Sequence, residues 1–196
     1  DAGRLSTIGG GFRNCATGTN STVAGGYENT ASGSKSTVGG GQTNTASGTY
    51  STVSGGYGNS SCGNSTVGGG IENTASGGSS TVAGGNLNTA SGNCSAVLGG
   101  GFNTASGDGS TVGGGLTNCA TDTYSTVGGG NGNDATSRCS TVGGGSGNLA
   151  SGSGGEGDGN TTVGGGRNNT ASGNYATVGG GKTNTASGST STIAGG

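Results

Sequence analysis

The sequence predicts an all-β fold: a parallel β-solenoid of about thirteen 15-residue coils, forming one domain over residues 1–196. First, a unit of the form S-T-V-G-G-G-x-x-N-T-A-S-G-x-x recurs along the whole chain. Second, strict positions within this unit alternate with free ones, which indicates a fixed geometry. Third, glycine recurs in triplets, which excludes a continuous helix, and it lacks the three-residue period of collagen.

The first half of the unit predicts a short strand. We number the unit as slots one to fifteen, starting at the residue that precedes Thr-Val. Slot three is Val or Ile in all thirteen coils, and slot two is Thr except at Ala96. Because side chains alternate along a strand, slot three is expected to point inward and the neighbouring hydroxyls outward. The coils begin at Ser6, Ser21, Ser36, Ser51, Ser65, Ser80, Ser95, Ser110, Ser125, Ser140, Thr161, Ala176 and Ser191.

The second half predicts a corner and a second strand. Glycine at slots five and six in every coil permits backbone with positive φ and close approach. The strand N-T-A-S then places Ala of slot eleven inward, with outward hydroxyls on either side. Slot nine is Asn in all twelve complete coils. Two interpretations of this Asn remain open and are compatible: a ladder of side-chain amides, or a turn residue that tolerates positive φ.

Two coils depart from the regular length. The coil from Ser51 is one residue short, and the coil from Ser140 carries six extra residues, assigned to a loop insertion at 153–158. Stacking at about 4.8 Å per coil predicts a rod on the order of 60 Å long. We expect both ends of the segment to be open, which would allow end-to-end stacking into a filament.

Composition argues against several classes of function. Charged residues make up 7% of the chain and the net charge is −2, so no basic patch is available for nucleic acid. No apolar run is long enough to insert in a membrane. Histidine is absent and the eight carboxylates are scattered, so no acid–base, nucleophilic, metal or cofactor site can be assembled. We therefore expect the protein not to be an enzyme and to use no cofactor.

An apolar stripe is the main candidate site. The inward residues are small, so the core is thin, and association with further chains would bury more surface. Slots seven and eight carry large apolar residues in seven of the first eight coils. Because they share one corner, we predict that they form a subunit contact. They are Phe12, Tyr27, Tyr57, Ile71, Leu87, Phe102 and Leu116.

Cysteines and glycosylation sequons are the remaining candidates. No two cysteines share a slot in adjacent coils, so we expect free thiols or disulfides between chains, the latter favoured outside the cell. The five are Cys15, Cys62, Cys94, Cys119 and Cys139. N-x-S/T triplets make a glycoprotein conceivable. They occur at Asn20, Asn59, Asn64, Asn93, Asn160 and Asn168.

The pair of motifs S-T-V-G-G-G and N-T-A-S-G-x-Y resembles the head repeats of YadA-type trimeric autotransporter adhesins, and the resemblance covers essentially the whole chain. Val23, Gly25, Ala31 and Gly33 fall on that family's repeat positions in one coil. Where that family often has Ala-Ile, this chain has Gly-Gly. The resemblance implies a left-handed β-roll, three chains to a head, display on the cell surface and adhesion.

The half-coil N-T-A-S-G is also similar to the repeats of grass antifreeze proteins, which implies ice binding by a flat hydroxyl array. That array comprises Thr30, Ser32, Thr45, Ser47, Thr74, Ser76, Thr89, Ser91, Thr104 and Ser106. We predict an extracellular structural or adhesive rod that self-associates, as a homotrimer or an end-to-end filament. The two alternatives are an adhesin head that binds surface glycans or matrix ligands, and an ice-binding solenoid.

Overall fold

The computed structural model describes residues 5–152 and 159–196, and it shows an all-β parallel solenoid with about fifteen residues per turn. The loop predicted at 153–158 lies outside these residues. Strand pairing connects each coil to the next in strict register, for example Val23 with Val38 and Ala31 with Ala46. The fold class predicted from the repeat is confirmed.

Two parallel sheets form the main faces, and each strand has two residues instead of the expected four. The thirteen-stranded sheet contains Thr7–Ile8, Thr22–Val23, Thr37–Val38, Thr52–Val53, Thr66–Val67, Thr81–Val82, Ala96–Val97, Thr111–Val112, Thr126–Val127, Thr141–Val142, Thr162–Val163, Thr177–Val178 and Thr192–Ile193. The twelve-stranded sheet contains Cys15–Ala16, Thr30–Ala31, Thr45–Ala46, Ser60–Ser61, Thr74–Ala75, Thr89–Ala90, Thr104–Ala105, Cys119–Ala120, Asp134–Ala135, Leu149–Ala150, Thr170–Ala171 and Thr185–Ala186. Strands this short follow from the glycine corners that bound them.

The core consists of two apolar columns. Valine at slot three and alanine at slot eleven face each other across the coil, and from Val23 to Val178 every valine of this column is fully buried. The inward orientation of both slots is thus confirmed. Only the end members of the valine column, Ile8 and Ile193, are partly or largely exposed, because each lacks a neighbouring coil on one side.

Two polar columns also point inward, which corrects the expectation of a single inward side chain per strand. Serine at slot one and asparagine at slot nine are buried in nearly every coil. Slots one and three, like slots nine and eleven, are two residues apart and therefore share a face of the strand. The interior is half polar, and its polar groups need partners inside the solenoid.

The asparagine column forms the amide ladder. Asn29 donates from Nδ2 to the carbonyl of Gly25 in its own coil, at 3.0 Å, and to that of Gly41 in the next, at 2.8 Å. Its Oδ1 accepts from the backbone N–H of Asn44 at 3.0 Å and from the side-chain amide of Asn44 at 3.1 Å. Among the non-glycine residues, positive φ falls at slots eight and fifteen and not at slot nine, so the turn interpretation of slot nine was wrong.

The short coil keeps its register through a local hydroxyl network. Ser61 replaces the slot-eleven alanine and remains fully buried. Its Oγ donates to the carbonyl of Ser65 at 2.7 Å and lies 2.9 Å from Ser65 Oγ, which in turn donates to the carbonyl of Ala75 at 2.7 Å. These bonds satisfy a hydroxyl in the core at the point where one residue is missing.

Candidate interaction surface

The corner at slots seven and eight holds its backbone tightly while leaving its side chains outside. Glu28, at slot eight, has a φ of 53°. Its N–H donates to the carbonyl of Phe12 in the preceding coil at 2.9 Å, and Tyr27 donates to Gly41 in the following coil at 2.9 Å. Slot seven forms a column of parallel bridges from Phe12 to Lys182. Side chains at this corner are therefore aligned along the rod axis.

The seven apolar residues predicted from the sequence all lie exposed at this corner. Five occupy slot seven; Leu87 and Phe102 occupy slot eight, with φ of 55° and 56°. In those two coils slot seven holds Asn86 and Gly101. The exposed fractions are Phe12 58%, Tyr27 39%, Tyr57 46%, Ile71 50%, Leu87 38%, Phe102 52% and Leu116 45%. We call this set the apolar stripe.

The stripe begins with a small aromatic and ionic cluster. The rings of Phe12 and Tyr27 stack with centroids 5.7 Å apart and planes 15° apart. Arg13 lies over the Phe12 ring, 5.2 Å from its centroid, and forms a 3.0 Å ion pair with Glu28. An exposed ion pair of this kind stabilises a protein by about 1 kcal/mol or less. The cluster therefore orders one end of the stripe without burying it.

Beyond Leu116 the same corner is polar. Slot seven there carries Asn131, Ser146, Arg167 and Lys182, all exposed. The corner thus changes from apolar to polar along the rod.

A second corner, at slot fifteen, carries exposed tyrosines and one contact that the sequence analysis missed. Tyr50, Tyr124 and Tyr175 are 56%, 60% and 47% exposed. Lys35, one coil before Tyr50, donates from Nζ to its hydroxyl at 2.9 Å and lies 4.8 Å from its ring centroid. The hydrogen bond from Lys35, followed by its charge, lowers the pKa of Tyr50 below the ordinary value. Comparing slot fifteen between adjacent coils would have revealed this pair.

The hydroxyl array implied by the antifreeze resemblance lies on one outer face. Its slot-ten threonines are half-buried and its slot-twelve serines exposed. The array ends where Cys119, Asp134 and Leu149 follow one another at slot ten. Burial first, then the charge of Asp134 and a hydrogen bond with it, raise the pKa of Cys119. Burial raises the pKa of Asp134, and the Cys119 hydrogen bond offsets part of that rise.

All five cysteines have free thiols, and the structure does not group them. Cys15, Cys94 and Cys139 are exposed, whereas Cys62 and Cys119 are half-buried. Disulfides between chains at these positions stay a prediction.

The sequons differ in their environment. Asn20, Asn64, Asn93, Asn160 and Asn168 are exposed. Asn59 is a member of the buried ladder, 1% exposed, and its Nδ2 donates to the carbonyls of Gly55 and Gly70 at 2.9 Å. A glycan on that nitrogen is incompatible with the folded solenoid, so five sequons remain as candidates.

Within residues 5–152 and 159–196, no group of three or more His, Cys, Asp or Glu side chains is arranged to hold a metal ion. In the same part of the chain, no helix has the length and apolar character needed to cross a membrane.

Comparison with known families gives a match over part of one coil. A family profile, the ubiquitous surface protein adhesin repeat, matches residues 21–33, which form slots one to thirteen of a single coil. No curated protein matches the chain. Over these residues the chain is similar to an adhesin repeat, and the matched stretch contains Val23, Asn29 and Ala31, which are buried in the solenoid.

Proposed function

We propose that this protein is an adhesin-like repeat rod, located at the cell surface or outside the cell, with no catalytic role. The observation that carries the proposal is that buried slots are uniform and exposed slots are variable within each coil. Slots one, three, nine and eleven are buried and nearly uniform, whereas slots seven, eight, fourteen and fifteen are variable and mostly exposed. Variable side chains on a uniform scaffold are typical of repeat proteins that present a binding surface.

The adhesin repeat profile supports the location and the class of function. It matches slots one to thirteen of one coil, including Tyr27 and Glu28 of the exposed corner. The partners we propose are further copies of this chain, laterally as a trimer or end to end as a filament, together with surface glycans or matrix ligands at the polar corners.

Lateral self-association is assigned to the apolar stripe, with a second copy of this chain as its occupant. A second rod has the same axial repeat, so its corner residues can meet those of the first coil after coil. A row of exposed large apolar side chains in seven of eight successive coils is unusual on a protein that acts alone. The contact buries the side chains that the thin interior leaves outside.

Adhesion is tested with beads coated with the purified chain and incubated with cultured epithelial cells. Wild-type beads are expected to bind severalfold more than beads coated with a variant that carries Asn131→Ser, Arg167→Ser and Lys182→Ser at the polar corner. The matched control carries Ser32→Thr, Ser47→Thr and Ser76→Thr. These changes leave the polar corner intact and should leave binding unchanged. Equal binding by wild-type and uncoated beads would contradict adhesion.

Ice binding is a second candidate, favoured by the in-register face between Thr30 and Ser106. Thr74, Thr89 and Thr104 pair directly between adjacent coils, which aligns their side chains in one row. The candidate predicts thermal hysteresis and faceted ice crystals, and replacing Thr89 with Lys should abolish both. Ice growth identical to that in buffer would exclude it.

A further inference from the structure

The glycine triplet that precedes the apolar stripe forms a second exposed strip, which we call the glycine ribbon: slots four to six of every coil. Its three slots place different demands on the residue. At slot six, φ lies between 83° and 98°, and a Cβ would overlap the carbonyl of the next coil, as at Gly26 against Gly41. The fold itself therefore requires glycine at slot six.

Slot four shows how much side chain the fold tolerates. At the slot-four glycines, a Cβ built on the backbone would overlap the slot-four carbonyl of the following coil, as at Gly39 against Ser54. Even so, slot four holds Ala24, Ser54, Ala83 and Leu98, and Leu98 is 58% exposed. Backbone adjustment evidently makes room for a side chain here, so this slot varies.

Slot five behaves in the opposite way. A Cβ at this slot meets open space: nothing lies within 4 Å of it at Gly10, Gly99 or Gly180, and the nearest atom at Gly25 or Gly55 is 3.8 Å away or more. Slot five is nevertheless glycine in all thirteen coils. Space inside the chain does not explain this uniformity.

Backbone conformation explains only part of it. In eight coils the slot-five φ lies between 138° and 159°, a region that favours glycine. In the other five coils φ falls outside the left-handed region, so any residue could adopt it. These five are Gly25, Gly55, Gly84, Gly165 and Gly180. At these positions neither packing nor conformation within the chain calls for glycine.

The ribbon also presents unpaired backbone groups. Within the described part of the chain, the slot-five and slot-six N–H groups, such as those of Gly25 and Gly26, donate to no protein acceptor, and the slot-four carbonyls, such as that of Ala24, accept no hydrogen bond. Each coil thus offers two donors and one acceptor on a half-exposed to exposed strip whose residues, apart from Leu98, are Gly, Ala or Ser. Donors and acceptors lie side by side, so the strip is complementary to another copy of itself.

We infer that the glycine ribbon is the surface against which the backbone of a second copy of this chain lies. Slot five stays glycine because a Cβ there would hold the two chains apart. A second copy fits because its ribbon repeats at the same axial spacing and can pair at every coil. A partner with another repeat would require glycine in some coils only. The inference rests on the proposed lateral self-association and names the face that brings the two chains together, directly beside the apolar stripe.

The test uses Gly→Ala changes where the isolated chain should accept them. The variant combines Gly25→Ala, Gly55→Ala and Gly84→Ala. Since alanine restricts the unfolded chain and fits the native backbone at these positions, the dilute variant should melt at the same temperature as wild type or higher. Its self-association, measured by sedimentation equilibrium, should weaken at least tenfold.

A second variant and a matched control complete the experiment. Gln at the same three positions should abolish association, with the β-sheet circular dichroism spectrum retained. The control places Gln at three exposed slot-twelve positions, through Ser47→Gln, Ser76→Gln and Ser91→Gln, and should associate like wild type. Hydrogen exchange at the amides of Gly25 and Gly26 should slow when the protein assembles.

Two results would overturn the inference, and they differ in what they say about the proposed function. If the glycine variants associate like wild type while Tyr27→Ser combined with Tyr57→Ser dissociates the assembly, the stripe alone is the contact. If wild type sediments as a monomer at every concentration, the ribbon has no partner copy and lateral assembly fails. The adhesive role is then decided separately by the bead assay.

Discussion

Two buried polar columns run the length of the solenoid, and they differ in how strictly the sequence maintains them. The asparagine ladder at slot nine is Asn in all twelve complete coils. The serine column at slot one accepts Thr161 and Ala176, and four of its buried hydroxyl oxygens, those of Ser21, Ser95, Ser110 and Ser191, have no hydrogen-bond partner. Both columns are equally buried, so burial alone does not explain the difference.

The difference lies in what each side chain satisfies. Each ladder Asn bonds two groups that have no other partner, the slot-five carbonyl of its own coil and the backbone N–H of the next Asn, and it adds a second hydrogen bond to the slot-six carbonyl of the next coil. A slot-one serine, where it is bonded, shares an acceptor that is already satisfied. The carbonyl of Gly33, for example, accepts from the backbone N–H of Ser36 as well as from its hydroxyl. A column is held strictly when its loss would leave buried groups unpaired.

The largest expected effect comes from removing one ladder amide. Asn103→Ala leaves the carbonyl of Gly99 and the N–H of Asn118 without partners, whereas the carbonyl of Gly115 still accepts from the N–H of Gly101. At about 1 kcal/mol or more for each unsatisfied group, the free energy of unfolding should fall by about 2 kcal/mol. Urea denaturation measures this fall. Asn131→Ala at the exposed corner is the control and should change the free energy by less than about 0.5 kcal/mol; equal effects would refute the comparison.

A smaller loss is expected where a slot-one hydroxyl is bonded. Ser125 donates from Oγ to the carbonyl of Asp122 at 2.6 Å, and its backbone N–H donates to the same oxygen at 3.0 Å. Ser125→Ala therefore removes one hydrogen bond and leaves no acceptor unpaired, at a cost of about 1 kcal/mol. The same denaturation series tests it. A loss as large as that of the Asn103 variant would contradict the claim that the serine column contributes less to stability than the asparagine ladder.

No loss is expected where the hydroxyl lacks a partner. Ser110 Oγ is buried without a hydrogen bond, and burying an unpaired hydroxyl is unfavourable. Ser110→Ala should leave stability unchanged or raise it by up to about 1 kcal/mol, as the natural alanine at position 176 suggests. The comparison with Ser125→Ala isolates the hydrogen bond, because slot, burial and substitution are the same. A destabilisation as large as that of Ser125→Ala would contradict it.

The repeat allowed the fold to be predicted because each slot is sampled up to thirteen times. The inward valines, the alanines and the exposed stripe residues such as Tyr57 and Leu116 could all be placed in this way. The inward serines were available from the same period of two, since slots one and three share a face. The strand length could not be read from the pattern, because it depends on where the glycine corners bend the backbone.

Features that belong to single coils were beyond the repeat pattern. Ser61 could be recognised as an exception, but its bonds to Ser65 depend on the local path of the shortened coil. The repeat places Lys35 beside Tyr50 at slot fifteen of adjacent coils, but the hydrogen bond and the ring contact between them depend on side-chain conformations. The candidate surface was therefore predicted as a set of residues, while the clusters within it required coordinates.

A third polar column, at slot ten, points outward and extends the comparison to side chains that are only half-buried. This column tolerates Cys119, Asp134 and Leu149 in consecutive coils, because water can reach its half-buried side chains. The pKa of Asp134 is raised by burial, so the folded state holds the proton more tightly than the unfolded chain. The free energy of unfolding should therefore rise as pH falls through the folded pKa and decrease as pH rises through the same range.

Asp134→Thr, which restores the commonest slot-ten residue, should remove this contribution and flatten the dependence of stability on pH in the acid range. Cys119→Val should act in the opposite direction, because the hydrogen bond from Cys119 lowers the pKa of Asp134 and its loss lets burial raise that pKa further. Urea denaturation at a series of acid to neutral pH values measures both slopes. If Asp134→Thr keeps the wild-type slope, the slot-ten carboxylate is as well solvated when folded as when unfolded. Burial of the slot-ten column would then impose no free-energy cost on the charged form of Asp134.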